Sequence, residues 1–248
     1  MTGAGAGGRA LPPSSAFAGD DGAAPAELSA ALALALEDPQ ARLEAVVAAL
    51  RTARVLVPVV ARLDELQAAH EVADHGIAAE KSAHAAMVTV AAPDGRAVLP
   101  VFSGIDAMRV WRPDARPVPV EGRRAALAAG SDADGVLVLD PGSSGVQVPR
   151  PAVRAIALGE PWLPAVRNPA VMSEVNAVLA RVPAVRAATI EPGRGTEITV
   201  VAHLHRHPTG TPDPETVAAL RACREALGTS ELIADLVDSV TVRPAITH

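Results

Sequence analysis

Two small α+β domains are expected from this chain, each a short mixed sheet packed with helices. Three observations predict them. Apolar runs of strand length, such as Arg54 to Val60 and Gly135 to Leu139, alternate with segments whose apolar residues recur at helical spacing. Pro93-Asp94-Gly95-Arg96 and Pro192-Gly193-Arg194-Gly195 each separate two apolar runs, which is the signature of a hairpin. Three prolines between Pro161 and Pro169 then break the pattern and mark a linker. The expected division is a disordered tail over 1–25, a first domain over 26–160, a linker over 161–170 and a second domain over 171–248.

The tail is rich in Gly, Ala, Pro and Ser, too poor in large apolar side chains to offset the cost of ordering. Glu27 to Glu37 reads as an Ala/Leu helix. Asp38 is a helix N-cap with Pro39 at the first helical position, and Leu43, Val46, Val47 and Leu50 form a buried stripe. Arg54 to Val60 is the first strand, and Ala61 to Lys81 reads partly as a helical turn and partly as a loop. Met87 to Ala92 and Ala97 to Phe102 flank the first hairpin signal. Pro100 lacks a ladder donor, which predicts an edge strand or a strand end. Ser103 stands at an N-cap position with Asp106 three residues on, a short version of the capping box. Ile105, Met108 and Trp111 then share one helical face, and Pro113 stops the helix. Val118 and Val120 alternate with prolines in an extended edge segment.

Glu121 to Ala129 is helical, Gly135 to Leu139 is a buried strand closed by Asp140-Pro141-Gly142, and Pro151 to Leu158 is a helix with Gly159 past its end. After the linker, Ser173 is expected to cap a helix carrying Val175, Val178, Leu179 and Val182. Val185 to Glu191 and Glu197 to Leu204 form the second hairpin. Glu215 to Leu227 is a helix stopped by Gly228, and Leu236 to Val242 is the last strand.

The stretch LPVFSGIDAMRVWRPDARPVPVEG, from Leu99 to Gly122, resembles the N-terminal domain of the SseB family. The shared features are a strand ending in Pro-hydrophobic-Phe, a Ser/Thr turn, a short helix ending near Trp and an extended segment. RVLVPVV at Arg54 and GVLVLDP at Gly135 resemble the strands before and after it, so the resemblance covers roughly residues 28 to 160. Phe102-Ser103-Gly104 stands where Phe-Thr-Ser is expected. The α-β-β-α-β order after the linker has the layout of the second domain in longer relatives. The resemblance implies a fold and supplies no catalytic residues.

Composition excludes several functions. A net charge of −6 and 2% aromatic residues argue against nucleic acid, which calls for basic surface and stacking rings. The single cysteine, Cys223, excludes an internal disulfide framework and a cysteine zinc site. No run approaches the roughly 18 apolar residues of a membrane span. The amino terminus lacks a basic start before an apolar core, so the cytoplasm is the expected compartment. The GAGAGG run follows no strand, and no G-x-S-x-G elbow exists.

Candidate functional residues are few. Trp111, flanked by Arg109 and Arg112, is suited to a protein contact, because Trp and Arg dominate binding hot spots. Lys81, beside Glu80, lies in a loop that could bind a partner. His203, His205 and His207 alternate along a strand end, so their rings share a face and could hold a first-row metal. The expected protein is a non-catalytic interaction or regulatory module with no cofactor. It would bind protein partners or itself and neither nucleic acid nor membrane. The alternative is a sensor or enzyme of metals or small molecules built on the three histidines.

Overall fold

The computed structural model describes residues 17–34, 37–59, 88–92, 95–143, 145–205 and 213–245. The fold is α+β. In its first half, α1 (Ala26–Leu32) and α2 (Pro39–Leu50) precede β1 (Arg54–Val59), β2 (Val90–Ala91) and β3 (Ala97–Val101). Then come α3 (Ile105–Trp111), β4 (Arg116–Glu121), α4 (Gly122–Asp132), β5 (Val136–Leu139), β6 (Val146–Val148) and α5 (Arg150–Leu158). A 3-10 turn, Ala165–Arg167, leads to the second half. There α6 (Pro169–Leu179), β7 (Val185–Pro192), β8 (Ile198–Leu204), α7 (Pro214–Gly228), α8 (Glu231–Leu236) and β9 (Val240–Pro244) follow.

The first sheet has the order β2-β3-β5-β6, with β3 and β5 parallel and the outer pairs antiparallel. A separate ribbon pairs β1 with β4 antiparallel and joins the sheet through reciprocal 2.8 Å hydrogen bonds between Leu56 and Phe102. Pro100 therefore lies in an interior strand, although its sequence suggested an edge or an end. The main-chain parity explains it. The N–H of Phe102 points away from β5, toward β1, and Pro100 has the same parity. Its missing donor faces the stretch beyond β2, which pairs only with Ala97 and Val98.

Leu99, Val101, Leu137 and Leu139 on the sheet meet Val46, Val47 and Leu50 of α2, Ala125 and Ala129 of α4, and Ile156 of α5 in one core. Asp38 caps α2 as its spacing predicts, accepting from the Ala41 N–H at 3.0 Å. Gly159 closes α5 at φ 76°, where a side chain would be strained. A smaller cluster of Leu56, Phe102 and Met108 fills the space between the ribbon and α3. Ile105 and Trp111 border it, the face their spacing predicts.

In the second half the sheet runs β7-β8-β9, with β7–β8 antiparallel and β8–β9 parallel. β8 is buried along nearly its whole length, as its continuous apolar run requires of a central strand. Its core, with α6 and α7, includes the buried Cys223. Two local expectations change. Asn168, not Ser173, caps α6, because Pro169 already starts the helix and Ser173 lies inside it. Leu236 ends the short helix α8, and the last strand starts at Val240. Trp162, between α5 and the 3-10 turn, packs half-buried against the first core.

Candidate functional site

β3 and β5 run parallel, and their C-terminal ends lie side by side. Open α/β sheets bind ligands in that position. Here it is closed by a buried polar pair. β3 runs through Phe102 into Ser103, and β5 into Asp140, 6% and 2% exposed respectively. Asp140 accepts from the Ser103 N–H through Oδ1 and from the Ser103 hydroxyl through Oδ2, both at 2.7 Å. Its own N–H donates to Val101 O at 2.8 Å, and its carbonyl accepts from Ser143 and Gly145. Asp140 has φ 51°, unusual for a residue with a side chain. These bonds hold it there.

Ser103 therefore does not cap α3. The N-cap residue is Gly104, and no side chain caps the helix. The hydroxyl that fits a capping box in sequence is engaged by a carboxylate 37 residues away.

The turn is fixed from the other side by residues 20–24, which fall within the expected tail. Arg54 forks onto the Asp20 carboxylate, reaching Asp20 Oδ1 at 2.6 Å, and donates to Ser103 O at 3.0 Å and Ala23 O at 2.8 Å. The Ile105 N–H donates to Gly22 O at 2.8 Å. Burial pushes the Asp20 carboxyl up, but the Arg54 hydrogen bonds, the Gly22 N–H and the Arg54 charge outweigh it and hold the group below its ordinary range. The backbone of residues 22–24 passes so close to Gly104 that a Cβ there would lie 3.0 Å from Ala24 N and 3.1 Å from Gly22 O.

On this fixed turn sits α3. Trp111 stacks at a tilt on Phe102, ring centroids 5.3 Å apart. The Arg112 guanidinium lies over the Trp111 ring, 5.1 Å from its centroid. Trp111 is half-buried, whereas Val110 is 66% exposed. Arg109 is exposed and 3.7 Å from Asp106, a pair of little energetic weight. The Trp111 backbone abuts Gly142 in the turn after β5. Arg112 thus joins Trp111 at the C-terminal end of α3, whereas Arg109 faces Asp106.

The other candidates do not join them. Lys81 and Glu80 lie outside the described residues. His203 is half-buried on β8, its Nε2 3.3 Å from Thr189 Oγ1. His205 is exposed just past the strand, its N–H bonded to Ala184 O, and His207 is outside the described residues. Among the described residues no three His, Cys, Asp or Glu side chains are grouped to hold a metal, nor is any helix long and apolar enough to cross a membrane. The Ser103–Asp140 pair was not read from sequence. The available signal was a polar residue directly after each of two apolar strands, which becomes a contact only once the strands are known to be parallel neighbours.

A short two-layer α+β unit with this strand–turn–helix corner is the class of domain defined by residues 28–155. The family model for the SseB protein N-terminal domain matches those residues, and the chain belongs to that family. No curated protein and no solved structure matches the chain.

Proposed function

We propose that the chain is a non-catalytic protein-binding module whose partner docks on the exposed side of α3, around Trp111. The observation that carries the reading is the composition of this corner. An aromatic ring half-buried against Phe102 and stacked by Arg112 lies beside a Val110 that is 66% exposed. Large amphipathic anchors held rigid are what interfaces use, because little side-chain entropy is lost on binding. The Ser103–Asp140 bonds and the Arg54 fork supply that rigidity. Both carboxylates are engaged, Asp140 by Ser103 and Asp20 by Arg54, so the corner offers contact surface more than reactive groups.

The test uses Val110→Asp. Val110 is exposed, so the variant should unfold at an unchanged urea concentration, within about 0.5 kcal/mol. Crosslinking and purification from the native host, followed by mass spectrometry, should recover a stoichiometric partner with the wild type and lose it with Val110→Asp and Arg112→Ala. A partner retained by both variants places the contact elsewhere. A wild type that recovers none removes the reading.

A further inference from the structure

The two cores share no buried residue, and polar contacts bridge the halves. Arg96, at the start of β3, forks onto both oxygens of Asp238 at 2.9 and 2.8 Å. The Asp238 side chain is 3% exposed. Arg167 in the 3-10 turn reaches Asp38 and Glu44 of the first half. Arg150 of α5 donates to Ala234 O at 3.3 Å, and Arg154 lies 3.8 Å from Asp235. Beside the Arg96–Asp238 fork a cleft of about 300 Å³ separates the halves, lined by Gln40, Gln147 and Pro149 on one side and Thr196, Glu197 and Ser239 on the other.

Glu197 is the unusual member. Its Oε2 accepts from the Asp238 N–H at 2.6 Å. Its Oε1 is buried and makes no hydrogen bond among the described residues. A buried carboxylate oxygen without a partner is costly when charged and cheap when protonated. We propose that Glu197 is a proton-operated latch between the two halves: protonated, it lets them close on the Arg96–Asp238 fork, and ionised, it weakens that closure, because only opening returns its charge to water.

Burial and the neighbouring groups set the direction. Burial opposes the ionisation of Glu197; the Asp238 N–H favours it, and the Asp238 carboxylate, a lesser influence, opposes it. The Ala165 N–H in the 3-10 turn favours ionisation as well, and so does Arg150, from α5 in the first half. Arg96, also from the first half, is already committed to Asp238. The α2 and β6 residues facing the cleft, Gln40, Leu43 and Gln147, carry no charge. Burial, helped by the Asp238 charge, outweighs the Asp238 and Ala165 N–H groups and Arg150 and pushes the Glu197 carboxyl up to about 7. The closed form therefore holds a proton that an open, solvated glutamate would release above about 4.5. Closure is strongest at low pH and weakens as pH rises through 7.

The experiment is small-angle X-ray scattering of the full chain at pH 5.5 and 8.5. Arg96→Gln weakens the fork and poises the equilibrium. Between those pH values the closing constant should fall by up to about thirtyfold, at tenfold per unit below the raised value. Arg96→Gln should be compact at pH 5.5 and extended at 8.5. Adding Glu197→Gln, neutral at both values, should keep it compact throughout. Should Arg96→Gln unfold, the wild type in molar salt, which screens the same ion pairs, takes its place. Scattering that is identical at the two pH values overturns the proposal, as does a pH response that survives Glu197→Gln.

Discussion

Ser103 shows how one hydroxyl can be assigned to the wrong partner by local pattern alone. Its position before Asp106 fits a cap, yet its Oγ lies 2.7 Å from Asp140 Oδ2. A carboxylate in a site 2% exposed stays there only if its oxygens are hydrogen-bonded. Ser103→Ala should therefore destabilise the chain by about 1–3 kcal/mol, the range for leaving a buried acceptor short of a donor. Urea unfolding measures it, and Ser103→Thr, which keeps the hydroxyl, should recover most of the loss. An Ala variant as stable as the wild type would mean that water replaces the hydroxyl. The candidate residues were legible as residue types and only partly as a site. Trp111 and its flanking arginines are neighbours in the sequence, and the structure stacks Arg112 on the ring while Arg109 faces Asp106. Asp140 and Glu197 were not legible, because each owes its character to groups far along the chain, Ser103 to the one and Asp238 to the other.

Among the elements, α3 is placed by what crosses its N-terminus. Gly104 leaves room for residues 22–24, and the Gly22 carbonyl supplies an acceptor to Ile105 where no side chain caps the helix. Gly104→Ser restores the residue expected at this turn. Its Cβ would meet backbone atoms at 3.0 and 3.1 Å, which cannot swing aside as a side-chain tip can. The prediction is that residues 20–24 detach and Ile105 N–H exchange accelerates, while the sheet amides keep their protection. Unchanged exchange at Ile105 would show that the backbone absorbs the change in place. Elements with strong periodicity or terminal signals were readable: α2 from Asp38-Pro39, α5 from Gly159, and both hairpins from their Pro/Gly turns. The short ones were not. β6 has three residues, too few for any alternation to register, and α8 has six, whose apolar ELIADL blends into the strand that follows. Pro100 misled because its rule concerns where an N–H points, and that depends on how far β2 extends beside it.

For the whole molecule, two cores joined through arginine contacts imply two folding units. Heat should unfold them in separate or overlapping steps, so the calorimetric enthalpy should exceed the van't Hoff value. A single transition with matching enthalpies would mean that the polar contacts couple the halves more tightly than their chemistry suggests. The amino-acid content adds a practical consequence. The chain has two tryptophans and no tyrosine. One indole lies at the α3 corner under a guanidinium, and the other lies between α5 and the 3-10 turn against the first core. Indole emission from this protein therefore comes from two places only. Replacing either indole with Phe leaves a single lamp, at the corner or before the 3-10 turn, to report on that region in solution without an attached dye.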